Sequence, residues 1–282
     1  MGRREADGLV DLHVHTTYSD GLMAPGEVVV TARSLGLRAV AITDHDSVSG
    51  IDEAMERGKA LGVEVVPGVE MSTGVSGEDV HILGYLLDWR AEEVQQRFHD
   101  LRRKRDERAQ RMVEKLAELD VSVTIERVRE LAGDGAVGRP HLAQAMLEAG
   151  AVRSINEAFD RYIGYDKPAY VPKSKLSPLE AVEFIHAQHG VAVIAHPATY
   201  GNDSVVYAAI AAGVDGIEVW HSDHDKRAVA HYQEVAQKNG LIATGGSDCH
   251  GGRKNNMVYL GQVEVPYQCL EELRRVQRKY LK

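Results

Sequence analysis

The sequence is poor in cysteine and has no long apolar run. Its 282 residues include two cysteines, Cys249 and Cys269, which excludes a disulfide framework and a cysteine-rich zinc module. A metal bound by this chain would therefore need histidine and carboxylate ligands. No stretch approaches the roughly 20 apolar residues of a membrane span, and the start MGRREADG lacks the apolar segment of a signal peptide. We therefore expect a cytoplasmic protein with no membrane partner.

Positive charge is also scarce. Lys and Arg number 33 against 42 Asp and Glu, which gives a formal net charge of −9. Because non-specific duplex binding depends on cations that neutralise phosphates, this balance argues against duplex DNA as a partner. A small anionic substrate stays compatible where local cations offset the overall field. The hydrophobic fraction of 44% and the charged fraction of 27% are ordinary for a globular protein.

Short β-rich runs alternate with helical stretches in two parts of the chain, which is typical of βα units around a mainly parallel sheet. GLVDLHVH, LRAVAITDH and VEVVPGVEMS have the pattern of strands, and DVHILGYLL is a strand that can pair as a hairpin with its predecessor. Between residues 89 and 166 the pattern is almost entirely helical. We therefore predict an α/β barrel domain formed by residues 1–88 and 167–282, with a helical insertion domain at residues 89–166.

Metal-capable side chains recur near the carboxyl ends of the predicted strands, where the βα loops of a barrel form the active site. Each has a structural alternative, since a single histidine in TDH or AHP is more often a hydrogen-bonding residue than a ligand. Their recurrence at one end of successive strands favours a multinuclear site. Histidine with carboxylate suits Zn, Mn or Fe, and a carboxylate can bridge two ions. The nine candidate ligands are His13, His15, Asp20, His45, Glu70, His81, His196, Asp248 and His250.

These residues lie in a set of motifs that resembles a known family. In order and spacing, DLHVHTTYSDG, ITDHDS, PGVEMS, HILGY, IAHP and GSDCHG resemble the motifs of the polymerase and histidinol phosphatase (PHP) family. The resemblance implies the PHP fold, a distorted (β/α)7 TIM-like barrel, with two to three divalent metal ions at its C-terminal face.

The resemblance also implies how the ligands divide among the ions. The first ion would be held by His13, His15, Glu70 and Asp248. The second would take Glu70 as a bridge together with His81 and His196. The third would take Asp20, His45 and His250, and Asp20 stands where some relatives carry a histidine.

Such a site indicates hydrolysis of a phosphate ester. Adjacent divalent ions lower the pKa of a bridging water and bind phosphoryl oxygens, so we expect a metal-bridging hydroxide to attack phosphorus. The candidate catalytic residues are Asp248 and His224, and the resemblance implies that His224, which matches a histidine in one branch of the family, contacts the scissile phosphate or protonates the leaving oxygen. No protein nucleophile is needed. Cys249, between two proposed ligands, is interpreted as a small buried residue.

The remaining polar residues are candidates for substrate contact. GRPHLA places Arg139 and His141 at a predicted helix start, and both helix starts and guanidinium groups favour phosphate. Lys173 in YVPK, together with His221 and His224 in WHSDH, could contribute further contacts. The alternative for all of them is an ordinary capping or solvated role.

An insertion after HILGY together with the GRPH segment resembles the PHP branch that acts on nucleotides. The resemblance implies hydrolysis of the 3′-phosphate of 3′,5′-bisphosphonucleotides such as pAp, and trimming of short single-stranded RNA from its 5′ end. One alternative is a histidinol-phosphate phosphatase or another small phosphomonoesterase. Another, of a different class, is a structural metal-binding domain that acts with a polymerase.

The segment RFHDLRRKRDERAQR, residues 97–111, holds seven basic and three acidic residues. We interpret it as a solvated helix with ion pairs between residues four apart. The alternative is a basic flank for the 5′ end of an RNA, with Arg102, Arg103 and Arg105 as its contacts.

Overall fold

A computed structural model describes residues 8–75, 77–133, 135–172, 176–252 and 257–281. One sheet runs through it in the order β7-β6-β5-β4-β3-β2-β1-β8. Its strands are β1 (Leu9–Asp11), β2 (Ala39–Ile42), β3 (Glu64–Val75), β4 (Glu78–Tyr85), β5 (Val191–Ile194), β6 (Gly216–His221), β7 (Ile242–Gly246) and β8 (Val265–Pro266). The backbone N–H of Leu12 donates to Gly245 O at 3.3 Å, which brings β1 beside β7 and nearly closes the barrel.

The sheet mixes parallel and antiparallel pairs. Strands β1, β2 and β3 are parallel, as are β5, β6 and β7, whereas β4 is antiparallel to both of its neighbours. The predicted hairpin is confirmed, since Ser72 of β3 pairs with His81 of β4. The predicted distorted barrel is also confirmed, with a short eighth strand antiparallel to β1. The strand expected near residues 257–265 is reduced to β8, because the chain turns at Gly261 with a φ of 70°.

Helices cover the outside of the barrel. They are α1 (Pro25–Ser34), α2 (Ile51–Leu61), α7 (Pro178–Ala187), α8 (Asp203–Ala211), α9 (Lys226–Asn239) and α10 (Gln268–Gln277), with a short 3₁₀ helix at Pro197–Tyr200. Proline and glycine residues determine where several of these helices begin or end. Pro25 begins α1, where its missing N–H costs nothing, and α2 ends at Gly62, which adopts a φ of 69°. Within the described residues, no helix combines the length and apolarity needed to cross a bilayer.

The helices between Glu92 and Ile163 build a second hydrophobic cluster. The elements are α3 (Glu92–Ala117), α4 (Ile125–Ala132), α5 (Arg139–Glu148), α6 (Ile155–Ala158) and a π-helix at Phe159–Ile163. Helix α3 belongs to both clusters: Val94 and Phe98 pack into the barrel core, whereas Met112 and Leu116 pack against α4 and α5. The middle of α3 therefore lies where the helical segment meets the barrel.

Candidate metal centre

The carboxyl end of the barrel gathers seven histidines and four acidic residues around one cluster. Their positions follow from the strands: most of them lie at the end of a parallel strand or in the loop after it, whereas Glu70 lies within β3 and His81 lies in the first half of the antiparallel strand β4. The cluster contains the nine predicted ligands together with His221 and Glu218, a residue that the sequence analysis missed. Glu218 could have been found as the one charged side chain in the apolar run GIEVW.

Glu70 lies at the centre of the cluster, and its two carboxylate oxygens face different histidines. Oε2 is 3.3 Å from His13 Nε2 and 3.0 Å from His15 Nε2. Oε1 is 2.7 Å from His81 Nδ1 and 3.0 Å from His196 Nε2. A carboxylate with each oxygen directed to its own pair of imidazoles has the geometry of a bridging ligand.

The first group of candidate ligands is completed by Asp248. Its Oδ1 atom is 3.4 Å from His13 Nε2 and 3.1 Å from His15 Nε2, and these two nitrogens are 3.2 Å apart. His13 and His15 point to the same side because they are two residues apart in an extended segment. The structure therefore brings together all the residues that the sequence assigned to the first ion.

The second group is held between β3, β4 and the end of β5. His81 Nδ1 and His196 Nε2 are 3.3 Å apart, and both contact Glu70 Oε1. His45 Nδ1 approaches the other oxygen of Glu70 at 3.0 Å, so His45 lies between this group and the next.

The third group surrounds Asp20 in the loop between β1 and α1. Asp20 Oδ1 is 3.3 Å from His250 Nε2 and 3.8 Å from His15 Nδ1, and Oδ2 is 4.0 Å from His45 Nε2. One ligand atom from each of these four residues lies within 4.8 Å of the others. Asp20 thus joins the histidines that the sequence assigned to it, with His15 as an additional neighbour.

Three residues of the site have backbones in the left-handed region that non-glycine residues rarely adopt. The φ angles are 48° at Asp46, 28° at His196 and 52° at Asp248. Such conformations cost free energy and persist where the surrounding structure enforces them, often at functional sites. Here they aim His196 and Asp248 back into the cluster.

A second layer of hydrogen bonds orients the imidazoles. His13 Nδ1 lies 3.0 Å from Glu218 Oε1, and the other oxygen of Glu218 accepts the backbone N–H of His196 at 2.7 Å. Carboxylates in this position fix the tautomer of a ligand histidine and leave its second nitrogen for a metal. His221 Nε2 lies 3.6 Å from Asp248 Oδ2, on the outer side of the first group.

The close packing of charges displaces the pKa values of the site. Burial opposes the cationic form of His15, but hydrogen bonds to Asp248 and Glu70 outweigh it and raise its pKa to about 10. His45 shows the reverse, because burial and the neighbouring cations of His15 and His81 lower its pKa to about 3. Burial disfavours the charged form of Glu70, yet the surrounding histidines hold its pKa well below the ordinary range.

The donor set fits divalent cations. In the described part of the chain, three buried atoms of the cluster have no hydrogen-bond partner: Glu70 Oε2, His45 Nδ1 and His221 Nε2. Leaving such atoms unsatisfied is costly, and an ion bound among them would satisfy the first two. Imidazole with carboxylate is a donor set that suits Zn, Mn or Fe.

Cys249 lies between two of the candidate ligands in sequence and packs away from solvent. It is 1% exposed, and burial raises the pKa of its thiol. A protonated, buried thiol is a poor nucleophile. This agrees with its interpretation as a small packed residue.

The candidate substrate contacts have different surroundings. His141 is buried, and its Nδ1 accepts the backbone N–H of Gly138 at 3.1 Å, which caps α5. Arg139 is half-buried, with Nη2 at 4.0 Å from Asp79 Oδ2 and its guanidinium 4.8 Å from the ring centre of Tyr165. Lys173 lies outside the described residues.

His224 lies at the edge of the cluster. Its ring centre is 5.2 Å from that of His221, and its Nδ1 donates to Val219 O at 2.8 Å. In this tautomer Nε2 is an acceptor, and the backbone N–H of Ala198 approaches it at 3.4 Å. Burial and the neighbouring His221 lower the pKa of His224, which favours the neutral ring.

The solvated-helix prediction for residues 97–111 is correct at Arg103, which is exposed and pairs with Glu107 at 2.7 Å. It is wrong at Arg105, which is 12% exposed and binds Asp46, and at Arg108, which is 7% exposed. Helical periodicity alone does not show that this face of α3 packs against the barrel and Val171.

Arg108 and Arg139 both approach the ring of Tyr170. Their guanidinium carbons are 5.6 and 5.7 Å from the centre of that ring. Burial and the charge of Arg139 lower the pKa of Arg108 to about 10. Arg108 Nε donates to Val171 O at 2.6 Å, whereas its buried Nη2 has no hydrogen-bond partner among the described residues.

Comparisons with known proteins agree with this geometry. A family model described as "PHP domain" matches residues 11–162. A 5′-3′ exoribonuclease of Haemophilus influenzae is 34% identical over 245 residues, which cover 85% of this chain and 89% of that protein. A 3′,5′-nucleoside bisphosphate phosphatase of Chromobacterium violaceum is 32% identical over 254 residues, covering 86% and 89%. A crystal structure from Bifidobacterium adolescentis, provisionally described as a metal-dependent phosphoesterase, has a TM-score of 0.84 at 33% identity and covers 94% of both chains.

Proposed function

The chain is a metal-dependent phosphoesterase of the PHP domain family, and we propose that it removes the 3′-phosphate of 3′,5′-bisphosphonucleotides. The products would be a 5′-nucleotide and inorganic phosphate. The observation that carries the substrate assignment is the pair formed by the buried Arg108 and the half-buried Arg139, on the side of the metal centre where Asp79 lies.

These two arginines suit a second phosphate. Arg139 approaches Asp79 of β4, and Asp79 is two residues from His81 on the same face of that strand, a separation of about 7 Å. A bisphosphonucleotide with one phosphate among the candidate metal ligands could place its other phosphate near this guanidinium pair. Guanidinium groups bind phosphate through paired, charge-assisted hydrogen bonds.

The same pair disfavours the principal rival substrate. Histidinol phosphate carries a single phosphate and an ammonium group, and a cation at this position would be repelled by Arg108 and Arg139. A buried guanidinium with an unsatisfied nitrogen, such as Arg108, is more costly beside a cation than beside an anion.

In the proposed mechanism, the three groups of ligands described above would hold divalent ions, which would lower the pKa of water and neutralise phosphate oxygens. Glu218 orients His13 and the backbone of His196. Arg139 and Arg108 would align the nucleotide by its second phosphate. No side-chain nucleophile takes part.

His224 is proposed to act in proton transfer at the edge of the site. Its neutral ring presents Nε2 as an acceptor, so it would take up a proton there before giving it to the leaving oxygen. We expect His224→Ala to lower kcat by 10²-fold or more, on the order of a lost general acid. Full turnover by this variant would exclude the role.

A substrate panel tests the proposal. Phosphate release with Mn²⁺ would be measured for pAp, 3′-AMP, histidinol phosphate and short 5′-phosphorylated RNA. We expect the highest kcat/KM for pAp, with 5′-AMP as the product. A higher kcat/KM for histidinol phosphate, or formation of 3′-AMP from pAp, would overturn the assignment.

The Arg139→Met variant tests the proposed contact with the second phosphate. Loss of a charge-assisted contact to the second phosphate should raise the KM for pAp by about 10-fold or more. The KM for 3′-AMP, which lacks that phosphate, should change little. Arg161→Met, an exposed arginine paired with Glu157, is the matched control. An equal effect of Arg139→Met on both substrates would contradict a second-phosphate contact.

A further inference from the structure

One arginine of helix α3 reaches directly into the loop that carries His45. Arg105 Nε donates to Asp46 Oδ2 at 2.8 Å, and Arg105 Nη2 donates to the same oxygen and to Ser72 Oγ, the latter at 2.9 Å. Arg105 is 12% exposed and Asp46 is 5% exposed, so this is a nearly buried ion pair. It lies in the part of α3 where the barrel core gives way to the helical cluster.

Asp46 is connected to the metal centre through the backbone. Its N–H donates to Glu70 O at 3.0 Å, and its Oδ1 accepts the N–H of Ser72 at 2.9 Å. His45 forms a parallel bridge with Glu70 in the same stretch. The loop after β2 is thus fastened along β3, with His45 and Glu70 side by side.

The backbone conformation of Asp46 depends on its ion pair with Arg105 of helix α3. Asp46 has a φ of 48°, a conformation that aspartate tolerates but does not prefer. Removing one member of a buried ion pair leaves the other charge uncompensated, so loss of Arg105 would release Asp46 from this geometry. The immediate neighbour of Asp46 is His45, and the residue paired with Ser72 across the hairpin is His81.

A second contact from the same helix supports the connection. Arg102 Nη1 donates to Ser49 Oγ at 3.1 Å, so α3 holds the loop between β2 and α2 at two points one helical turn apart. Arg103, between them in sequence, faces solvent and pairs with Glu107 instead.

We propose that Arg105 is a positioning residue of the metal centre, through which α3 fixes His45 and its neighbour Glu70 for metal binding. Its guanidinium is committed to Asp46 and Ser72, and its effect passes through Asp46 to His45. The inference concerns metal affinity, so it holds whichever phosphate ester is the substrate, and a failed substrate panel leaves it standing.

Mn²⁺ titration of metal-free, full-length protein tests the proposal, with free Mn²⁺ counted by electron paramagnetic resonance. Loss of an outer contact to a ligand typically weakens metal binding by about 10- to 100-fold. We expect Arg105→Met to raise the apparent Kd of the most weakly bound Mn²⁺ by this factor, and Arg105→Lys to restore part of the affinity. Arg111→Met, an exposed arginine on the same helix, should bind Mn²⁺ like the wild type.

Asp46→Asn provides an independent variant, because it keeps the side-chain shape and removes the charge. It should weaken Mn²⁺ binding as Arg105→Met does, and the double variant should be no worse than either single one. If Arg105→Met does not fold, Arg105→Lys and Asp46→Asn carry the comparison. Wild-type Mn²⁺ affinity in folded variants, with only a raised KM for substrate, would overturn the proposal and make Arg105 a substrate contact.

Discussion

Glu70 shows how a single side chain can organise this site. Its Oε1 atom is within 3.0 Å of two imidazoles and its Oε2 atom is within 3.3 Å of three, and Oε2 is buried without a hydrogen-bond partner among the described residues. With neutral imidazoles, which metal ligation requires, such an arrangement would be costly as a purely structural feature, because a buried carboxylate oxygen gains nothing from imidazole lone pairs. Bound cations would compensate the charge of this buried oxygen.

Asp20 offers the clearest division between the ions. Its carboxylate lies beside His15, His45 and His250, which include both histidines assigned to the third ion. Asp20→Ala should therefore lower the bound metal by about one ion per chain relative to the wild type and weaken phosphate release. Metal analysis by mass spectrometry gives the number. Glu56→Ala, an exposed position on α2, is the control, and loss of all metal from Asp20→Ala would mean that the ligands are grouped wrongly.

The site residues that could be predicted from the sequence lie in local motifs, and the others do not. The nine candidate ligands could be predicted because each follows a recognisable strand and lies in a short motif. Glu218 stayed hidden inside an apolar strand. Arg108 was taken as solvated because its burial depends on Val171, 63 residues away in sequence. Contacts between residues so far apart in the chain leave no local pattern in the sequence.

At the scale of elements, the meeting of β1 and β7 determines where His13 stands. Strand β7 ends in two glycines, and a Cβ atom added at Gly246 would lie 2.4 Å from both the N and the Cβ of His13. Only glycine allows β7 to approach β1 this closely. The same glycines therefore close the barrel and place a ligand.

Gly246→Ala should separate β1 from β7 and displace His13. We expect a lower melting temperature together with loss of bound metal, since His13 contacts Glu70, Asp248 and Glu218. Gly26→Ala in α1 is the matched control, because its Cβ would meet only the flexible side chain of Glu53, at 3.1 Å. Unchanged metal content in Gly246→Ala would show that the contact between β1 and β7 tolerates the added methyl group.

Elements with strong local signals were predictable, and those set by distant contacts were less so. Helix α7 begins at Pro178, directly after Ser177, and has a capping box in which Ser177 Oγ accepts the N–H of Glu180 at 3.2 Å. Strand β8 is shorter than predicted because the chain turns at Gly261 and only Val265 and Pro266 then pair with β1.

At the scale of the whole molecule, the charge of His13 and His15 makes the stability of the metal-free protein depend on pH. Burial opposes the cations of His13 and His15, but the surrounding carboxylates raise the pKa of His15 to about 10 and that of His13 well above its usual value. A folded pKa above the unfolded value of about 6.5 contributes stability that is full below about pH 6.5 and is lost as pH rises toward about 10. The metal-free protein should therefore lose stability over this alkaline range.

Metal binding should release these protons. Ligand histidines must be neutral, so Mn²⁺ binding at about pH 8 should expel protons that an ordinary histidine would not hold at that pH. Calorimetric titrations in buffers of different ionisation enthalpy measure the release. We expect the observed enthalpy to change with the buffer in the direction of proton release. Equal enthalpies in all buffers would contradict the charge state inferred for His13 and His15.

The barrel and its helical insertion follow from the alternation of patterns along the chain, but the docking of the insertion does not. Helix α3 contributes Phe98 to the barrel core and Met112 to the second cluster, and Arg105 lies at the boundary between them. Amphipathic spacing predicts the helix, whereas the surface against which each face packs is decided by tertiary structure.

The central claim is that divalent ions held at the carboxyl end of this barrel hydrolyse the 3′-phosphate of a bisphosphonucleotide. The most direct test is ³¹P nuclear magnetic resonance of pAp incubated with chelator-treated protein before and after addition of Mn²⁺. The account predicts no reaction without metal, and 5′-AMP with inorganic phosphate after Mn²⁺ is restored. Unchanged pAp in the metal-loaded protein, or equal turnover without metal, would contradict it.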